Sequence, residues 1–155
     1  MKSEQLSQTN LEIWTAYQRM GLRLDAILAQ ELARTGLSQA DYEILSALLE
    51  SPNDSMRAIS LRCGIEWEKS RLSHQLRRME QRGLIRREAC EEDNRGAVVR
   101  ITERGRELAI EAKACYEHAI QRYFVQALSE GELQQLKQIS QTLLGHLDNL
   151  LPLKH

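Results

Sequence analysis

The stretch "WEKSRLSHQLRRMEQRGLIRRE", Trp67 to Glu88, decides how the chain is read. Between Lys69 and Arg87 it holds 7 basic residues, Lys69, Arg71, Arg77, Arg78, Arg82, Arg86 and Arg87, against one acid, Glu80. Leu72, Leu76 and Met79 recur at i, i+4 and i+7, the spacing of one helix face. Arg71, Gln75 and Arg78 repeat that spacing on an adjacent face, and Ser70, His74 and Arg77 on the next. The segment is therefore expected to be a helix stopped by Gly83, docked through its apolar side with its hydrogen-bond donors outward.

Working outward, the basic cluster stands in a chain of net charge −1. From Arg57 to Arg104 there are 12 Lys or Arg and 8 Asp or Glu, a balance of +4; the remainder holds 9 against 14, or −5. Such a local excess marks an anionic partner or a solvated helix face. At 155 residues, 42% hydrophobic and 28% charged, the chain suits one folded domain and not a disordered one. No apolar run approaches the roughly 20 residues of a membrane span, and MKSEQLSQTN lacks the apolar core of a secretory signal. A cytoplasmic protein is expected. The 3 cysteines, Cys63, Cys90 and Cys115, are odd in number and dispersed, which argues against a disulfide framework.

Both prolines, Pro52 and Pro152, fall outside the helical patterns. Leu11, Trp14, Tyr17, Leu24, Ile27 and Leu28 outline a long amphipathic helix ending near Gly36. Ser38 caps a second, with Asp41 at N3, and Pro52 closes it. "DSMRAISLRCG" reads as a short helix capped by Asp54 or Ser55, with Met56, Ile59 and Cys63 inward and Gly64 as its stop. Glu66 and Glu68 are placed at the positive end of the basic helix. After that helix the period changes to two. "LIRREAC" and "GAVVRIT" read as a hairpin with Asn94, Arg95 and Gly96 near its tip. Thr102 caps another long helix. Ser129 and Glu132 form a capping box before a last helix striped by Leu133, Leu136, Ile139, Leu143, Leu147 and Leu150.

Helix, helix, short helix, basic helix and hairpin is the order of a winged helix-turn-helix, whose second helix reads the major groove. Arginine pairs with guanine and glutamine with adenine, whereas Ser and Lys hold phosphates. Arg71, His74, Gln75 and Arg78 are thus candidates for base readout. Lys69, Ser70, Ser73, Arg77, Arg86 and Arg87 are candidates for phosphate contact, with Arg57 adding another.

"LSQADYEILSALLESP", "EKSRLSHQLRRMEQRGLIRRE" and "EDNRGAVVRITERG" together resemble the MarR family of bacterial transcriptional regulators. The wing tip Asp93-Asn94-Arg95-Gly96, followed by Ile101, Thr102 and Gly105, is the most specific part. The resemblance implies a mainly α fold with a small β-hairpin wing. Residues 37–102 would form the winged helix-turn-helix and 1–36 and 103–155 the dimerisation helices of a single domain, 1–155. It also implies a homodimer on a pseudo-palindromic operator, with Arg95 in the minor groove and Asp93 steadying the wing. The function implied is that of a repressor relieved by a small aromatic or phenolic effector. "CGIEWEKS" departs from the commonest family spacing and leaves the first turn of the reading helix open between Lys69 and Ser70. Trp14, Tyr17, Tyr42 and Trp67 are candidates to line the effector pocket; Trp14 and Tyr17 lie on a face expected to be buried in any case.

The leucine row of the last helix points to a homodimer independently, because soluble monomers avoid exposing such a patch. Other chemistry finds little support. The 4 histidines form no H-E-x-x-H, and no G-x-S-x-G, P-loop or dinucleotide fingerprint occurs, so no enzyme and no cofactor is expected. Glu111, Cys115 and His118 share a helix face, but two exposed polar residues beside a buried Cys is the favoured reading, and no metal is expected. Cys90, beside Arg86 and Arg87, would make a redox-sensing regulator. A winged-helix protein-protein interaction module using the basic face on an acidic protein is the other alternative.

Overall fold

The computed structural model describes residues 5–89 and 96–151. Cys90, Asp93, Asn94 and Arg95 lie outside the described residues, and so do the expectations placed on them.

Among the described residues, six α-helices and three strands follow in the order α1 (Gln8–Ala33), α2 (Gln39–Glu50), β1 (Ser55–Arg57), α3 (Ala58–Ile65), α4 (Lys69–Gln81), β2 (Ile85–Ala89), β3 (Ala97–Ile101), α5 (Glu103–Tyr123) and α6 (Glu130–Leu150). The caps read from the sequence hold α2, α5 and α6. Ser38 and Asp41 make a complete capping box, Thr102 accepts from the Gly105 amide, and Ser129 pairs reciprocally with Glu132. Gly36 and Gly83 turn the chain after α1 and α4 with φ of 83° and 74°, a region where a Cβ is strained.

The sheet has three strands rather than the two of the expected hairpin. Its order is β1-β3-β2, with both pairings antiparallel. Ser55, Met56 and Arg57 pair with Arg100, Val99 and Val98, so the segment expected to begin a helix is extended. The pairing moves the start of α3 to Ala58, and the inward face moves with it. Leu61 is fully buried, whereas Ile59 is 61% exposed and Cys63 only half-buried. Gly64 does not end this helix. The chain leaves it at Glu66, in the left-handed region at φ 57°, and the Glu66 and Trp67 amides both donate to the Arg62 carbonyl. Burial of Trp67, 8% exposed, anchors that turn. Glu66 therefore caps α3, and Glu68 alone stands at the start of α4.

The core sits between α2, α4, the sheet and α5. Leu37, Ile44, Leu45, Leu48, Leu61, Met79, Leu84, Ile85 and Val99 are all essentially inaccessible. Each such side chain contributes about 1.5–3 kcal/mol by leaving water. The N-terminus of α5 is set against the wing at a point with no room. A Cβ on Gly105 would overlap the Leu84 carbonyl oxygen. Thr102 reinforces the contact, its amide donating to Leu84 O at 3.1 Å and its hydroxyl to Gly83 O at 2.6 Å. The Thr102–Gly105 pair thus fixes α5 to the lobe through its own backbone.

Outside this core the chain is unfinished. Leu11, Ile13, Trp14, Tyr17, Met20 and Leu22 of α1 are exposed, and no residue of α6 is buried. Trp14 and Tyr17, expected on a buried face, are 51% and 54% exposed in the single chain.

Candidate nucleic-acid interface

α4 begins at Lys69, which settles the first turn left open by the sequence. Leu72 and Leu76 are 3% exposed and Met79 is fully buried, so the apolar row faces the core. Lys69, Ser70, Arg71, Ser73, His74, Arg77 and Arg78 are all exposed, as are Arg86 and Arg87 on β2 and Arg57 at the end of β1. Among the described residues, the guanidinium groups of Arg77, Arg78 and Arg86 have no hydrogen-bond or ion-pair partner. A groove of about 320 Å³ separates α4 from the wing, with Leu72 and Leu76 in its lining beside Arg62, Lys69 and Ser73.

Gln75, a candidate for base readout, is bonded within the chain. Its amide nitrogen donates to Asp41 Oδ1 at 2.7 Å, and the side chain is half-buried. Asp41 is 1% exposed, and its carboxylate also accepts from Arg82 Nη1 at 2.7 Å and from the Ser38 amide at 2.9 Å. Arg82 in turn donates to the Gly36 carbonyl at 2.9 Å. A buried carboxylate is tolerated when its lone pairs are filled by charged and polar donors. Here they tie α2, α4 and the α1–α2 turn to one point, which makes Asp41 a positioning residue for α4. Sequence reading assigned it only to a cap. The missed signal is its spacing: Asp41, Ile44, Leu45 and Leu48 share one face, so the carboxylate lies in an otherwise apolar stripe.

Two other arginines are held in place. Arg71 lies over the Trp67 ring, 3.6 Å from its centroid, and the Trp67 indole N–H donates to Glu43 Oε2 at 3.1 Å. The stack limits where the guanidinium points while leaving its edge exposed. Arg87 embraces Glu80 through its amide and Nη2, each at 3.0 Å, and Nε at 3.3 Å. Those bonds from Arg87 hold the Glu80 carboxyl below its usual range. The pair offsets the one acid of the basic stretch and braces α4 against β2.

The four aromatic residues assigned to an effector pocket are not brought into one cluster. Trp14 and Tyr17 contact each other, with ring centroids 5.9 Å apart. Tyr42 instead pairs with Tyr116 at 4.8 Å. Cys115, expected to be buried beside an exposed Glu111 and His118, is half-buried and directs its thiol at the Glu31 carbonyl, 3.3 Å away, while Glu111 and His118 are exposed.

The model of the MarR family matches residues 35–96. AbsC, a MarR family transcriptional regulator from Streptomyces coelicolor, superimposes with a TM-score of 0.88 at 34% identity, covering 95% of this chain and 99% of AbsC. The chain belongs to the MarR family. Sco3205, a MarR family regulator from the same organism solved in complex with DNA, superimposes with the same TM-score of 0.88 at 26% identity, over 97% of this chain and 93% of that one. Transcriptional repressor MprA of Escherichia coli is 27% identical over 119 residues, 77% of this chain and 67% of MprA. The fold expected from the MarR resemblance, helical with a small β wing, is the fold observed. MarR proteins are transcriptional regulators and not an enzyme family. Among the described residues no helix is long and apolar enough to cross a membrane.

Proposed function

We propose that this MarR-family chain is a cytoplasmic, homodimeric repressor that binds a pseudo-palindromic operator and releases it on binding a small molecule. The observation that carries the reading is α4 itself, locked by Leu72, Leu76 and Met79 with Arg71, His74, Arg77 and Arg78 exposed along its outer side. Arg71, His74 and Arg78 are assigned to base edges. Lys69, Ser70, Ser73, Arg77, Arg86, Arg87 and Arg57 are assigned to phosphates, and Arg95, steadied by Asp93, to the minor groove. Gln75 is withdrawn from base readout because it serves Asp41. Residues 37–102 would form the reading lobe and 1–36 with 103–155 the dimerisation helices. Two such lobes related by a two-fold axis would meet half-sites about 34–36 Å apart. The DNA complex of Sco3205 and the repressor MprA support the assignment by likeness.

Paired alanine variants test it. Arg78→Ala is expected to cost about 1–3 kcal/mol at particular operator positions. Arg77→Ala should weaken all duplexes alike and reduce the salt slope by about one. Binding measured against operator variants at several salt concentrations distinguishes them, and identical behaviour of the two variants contradicts the assignment.

A further inference from the structure

Between α2, the α3–α4 turn and α5 lies an open cleft of about 370 Å³, lined by Gln39, Tyr42, Glu43, Ser46, Ala47, Glu50, Ile65 and Tyr116. Its chemistry is opposite to that of the DNA-facing side. Tyr42 and Tyr116 stand together with rings tilted by 41°. Glu43 and Glu50 supply carboxylates, and the lining contains no Lys, Arg or His. The side-chain oxygen of Gln39 is buried and, among the described residues, accepts no hydrogen bond. Burial holds the Tyr42 phenol above its usual range; the Glu117 and Glu50 charges act in the same direction, against the hydrogen bond with Ser46. The cleft thus gathers two tyrosine rings and two carboxylates, and no cationic side chain lines it.

We infer that this cleft binds a small organic cation, a quaternary ammonium or protonated amine, in preference to a phenolate or carboxylate. The inference names a ligand class for the proposed effector and rests on that reading for its regulatory meaning only. A cation over an aromatic ring is attracted by the ring quadrupole, and the two carboxylates add to the attraction. An anion of the same shape meets Glu43 and Glu50. Glu43 also accepts the Trp67 indole N–H, and Trp67 carries Arg71. Occupancy of the cleft therefore acts on a group bonded directly to the support of a DNA-facing arginine.

An isosteric series tests the proposal on the full chain: choline, the neutral 3,3-dimethyl-1-butanol and the anionic 3,3-dimethylbutanoate. The readout is the NMR resonance of the Trp67 indole N–H, assigned by its loss in Trp67→Phe. Choline should shift it saturably, the alcohol should bind at least about tenfold more weakly, and the acid should not saturate. Glu50→Gln, at an exposed position, and Tyr116→Leu should each weaken choline about threefold or more. Absence of a saturable choline shift, equal affinity for choline and the alcohol, tighter binding of the acid, or unchanged choline affinity in Glu50→Gln overturns the proposal. Operator binding by the ligand-free protein is measured separately. Its failure would remove the repressor reading and leave the cleft result standing.

Discussion

α4 and α6 are both amphipathic helices with rows of large apolar side chains, yet they end in opposite conditions. Leu72, Leu76 and Met79 of α4 are 3%, 3% and 0% exposed, whereas Leu143, Leu147 and Leu150 of α6 are 48%, 42% and 62% exposed. The difference lies in what surrounds them. α4 is closed over by α2 and the sheet and joined to them by Asp41 and Glu80, while the hydrogen bonds of α6 among the described residues stay local, in its capping box, its backbone and the Thr142 hydroxyl. An isolated helix of this length is marginal in water, and tertiary packing normally supplies what is missing. The reading lobe is thus complete within one chain. In the terminal helices the leucine row of α6 and the apolar face of α1 stay exposed in one chain, and an apolar patch of that kind marks an interaction surface.

The sharpest way to break the comparison is to put charge on the unfinished helix. Leu143→Glu combined with Leu147→Glu should dissociate the proposed dimer, because symmetry repeats each change and each buried carboxylate costs several kcal/mol. Sedimentation velocity should then show monomers that retain the helical signal of the lobe. An unchanged dimer would place the interface elsewhere. Next in size is Asp41→Ala, which leaves Gln75, Arg82 and the Ser38 amide without their acceptor. It should lower stability by about 1–3 kcal/mol, the range for leaving partly buried donors without their acceptor, and weaken operator binding even at saturating folded protein. Denaturant melts together with binding isotherms check both parts.

Much of this was legible in the sequence because it rests on periodicity and caps. The spacing of Leu72, Leu76 and Met79, the Ser129–Glu132 box and the stops at Gly36 and Gly83 are local signals, and the structure uses each as expected. What was not legible depends on distant partners. Ser55-Met56-Arg57 is a strand only because β3 offers it an edge, and nothing in three residues announces that. The left-handed Glu66 depends on Trp67 finding a buried site. Gln75 carries the right chemistry for adenine, but Asp41, far away in sequence, claims it first. The apolar stripe of α6 was anticipated and is exposed in one chain, while Trp14 and Tyr17 on α1, expected on a buried face, are exposed as well.

Two smaller tests sharpen the contrast from the lobe side. Gly105→Ala forces a methyl group against the Leu84 carbonyl oxygen and should destabilise by about 1–3 kcal/mol, the usual cost of overpacking, measured as a shift in the denaturation midpoint. Gly145, in α6, has open space around it in the single chain, so Gly145→Ala should leave the fold of one chain unperturbed. The smallest effect concerns Glu80. Its folded pKa lies below the ordinary 4.5, so the link with Arg87 stabilises the fold above that value and is lost as pH falls through the depressed one. Exposure of both partners keeps the contribution small. Carboxyl NMR titration should show Arg87→Ala returning Glu80 toward its ordinary range.

The seating of α5 at Gly105 has a mechanical side. α5 is one unbroken rod of 21 residues, about 31 Å long at 1.5 Å per residue, running from the base of the wing to the joint that leads into α6. Its first turn is pressed backbone on backbone against Leu84. A tilt imposed at the far end would be carried through that contact to the base of the wing, and between two copies the spread of the wings would be a matter of leverage.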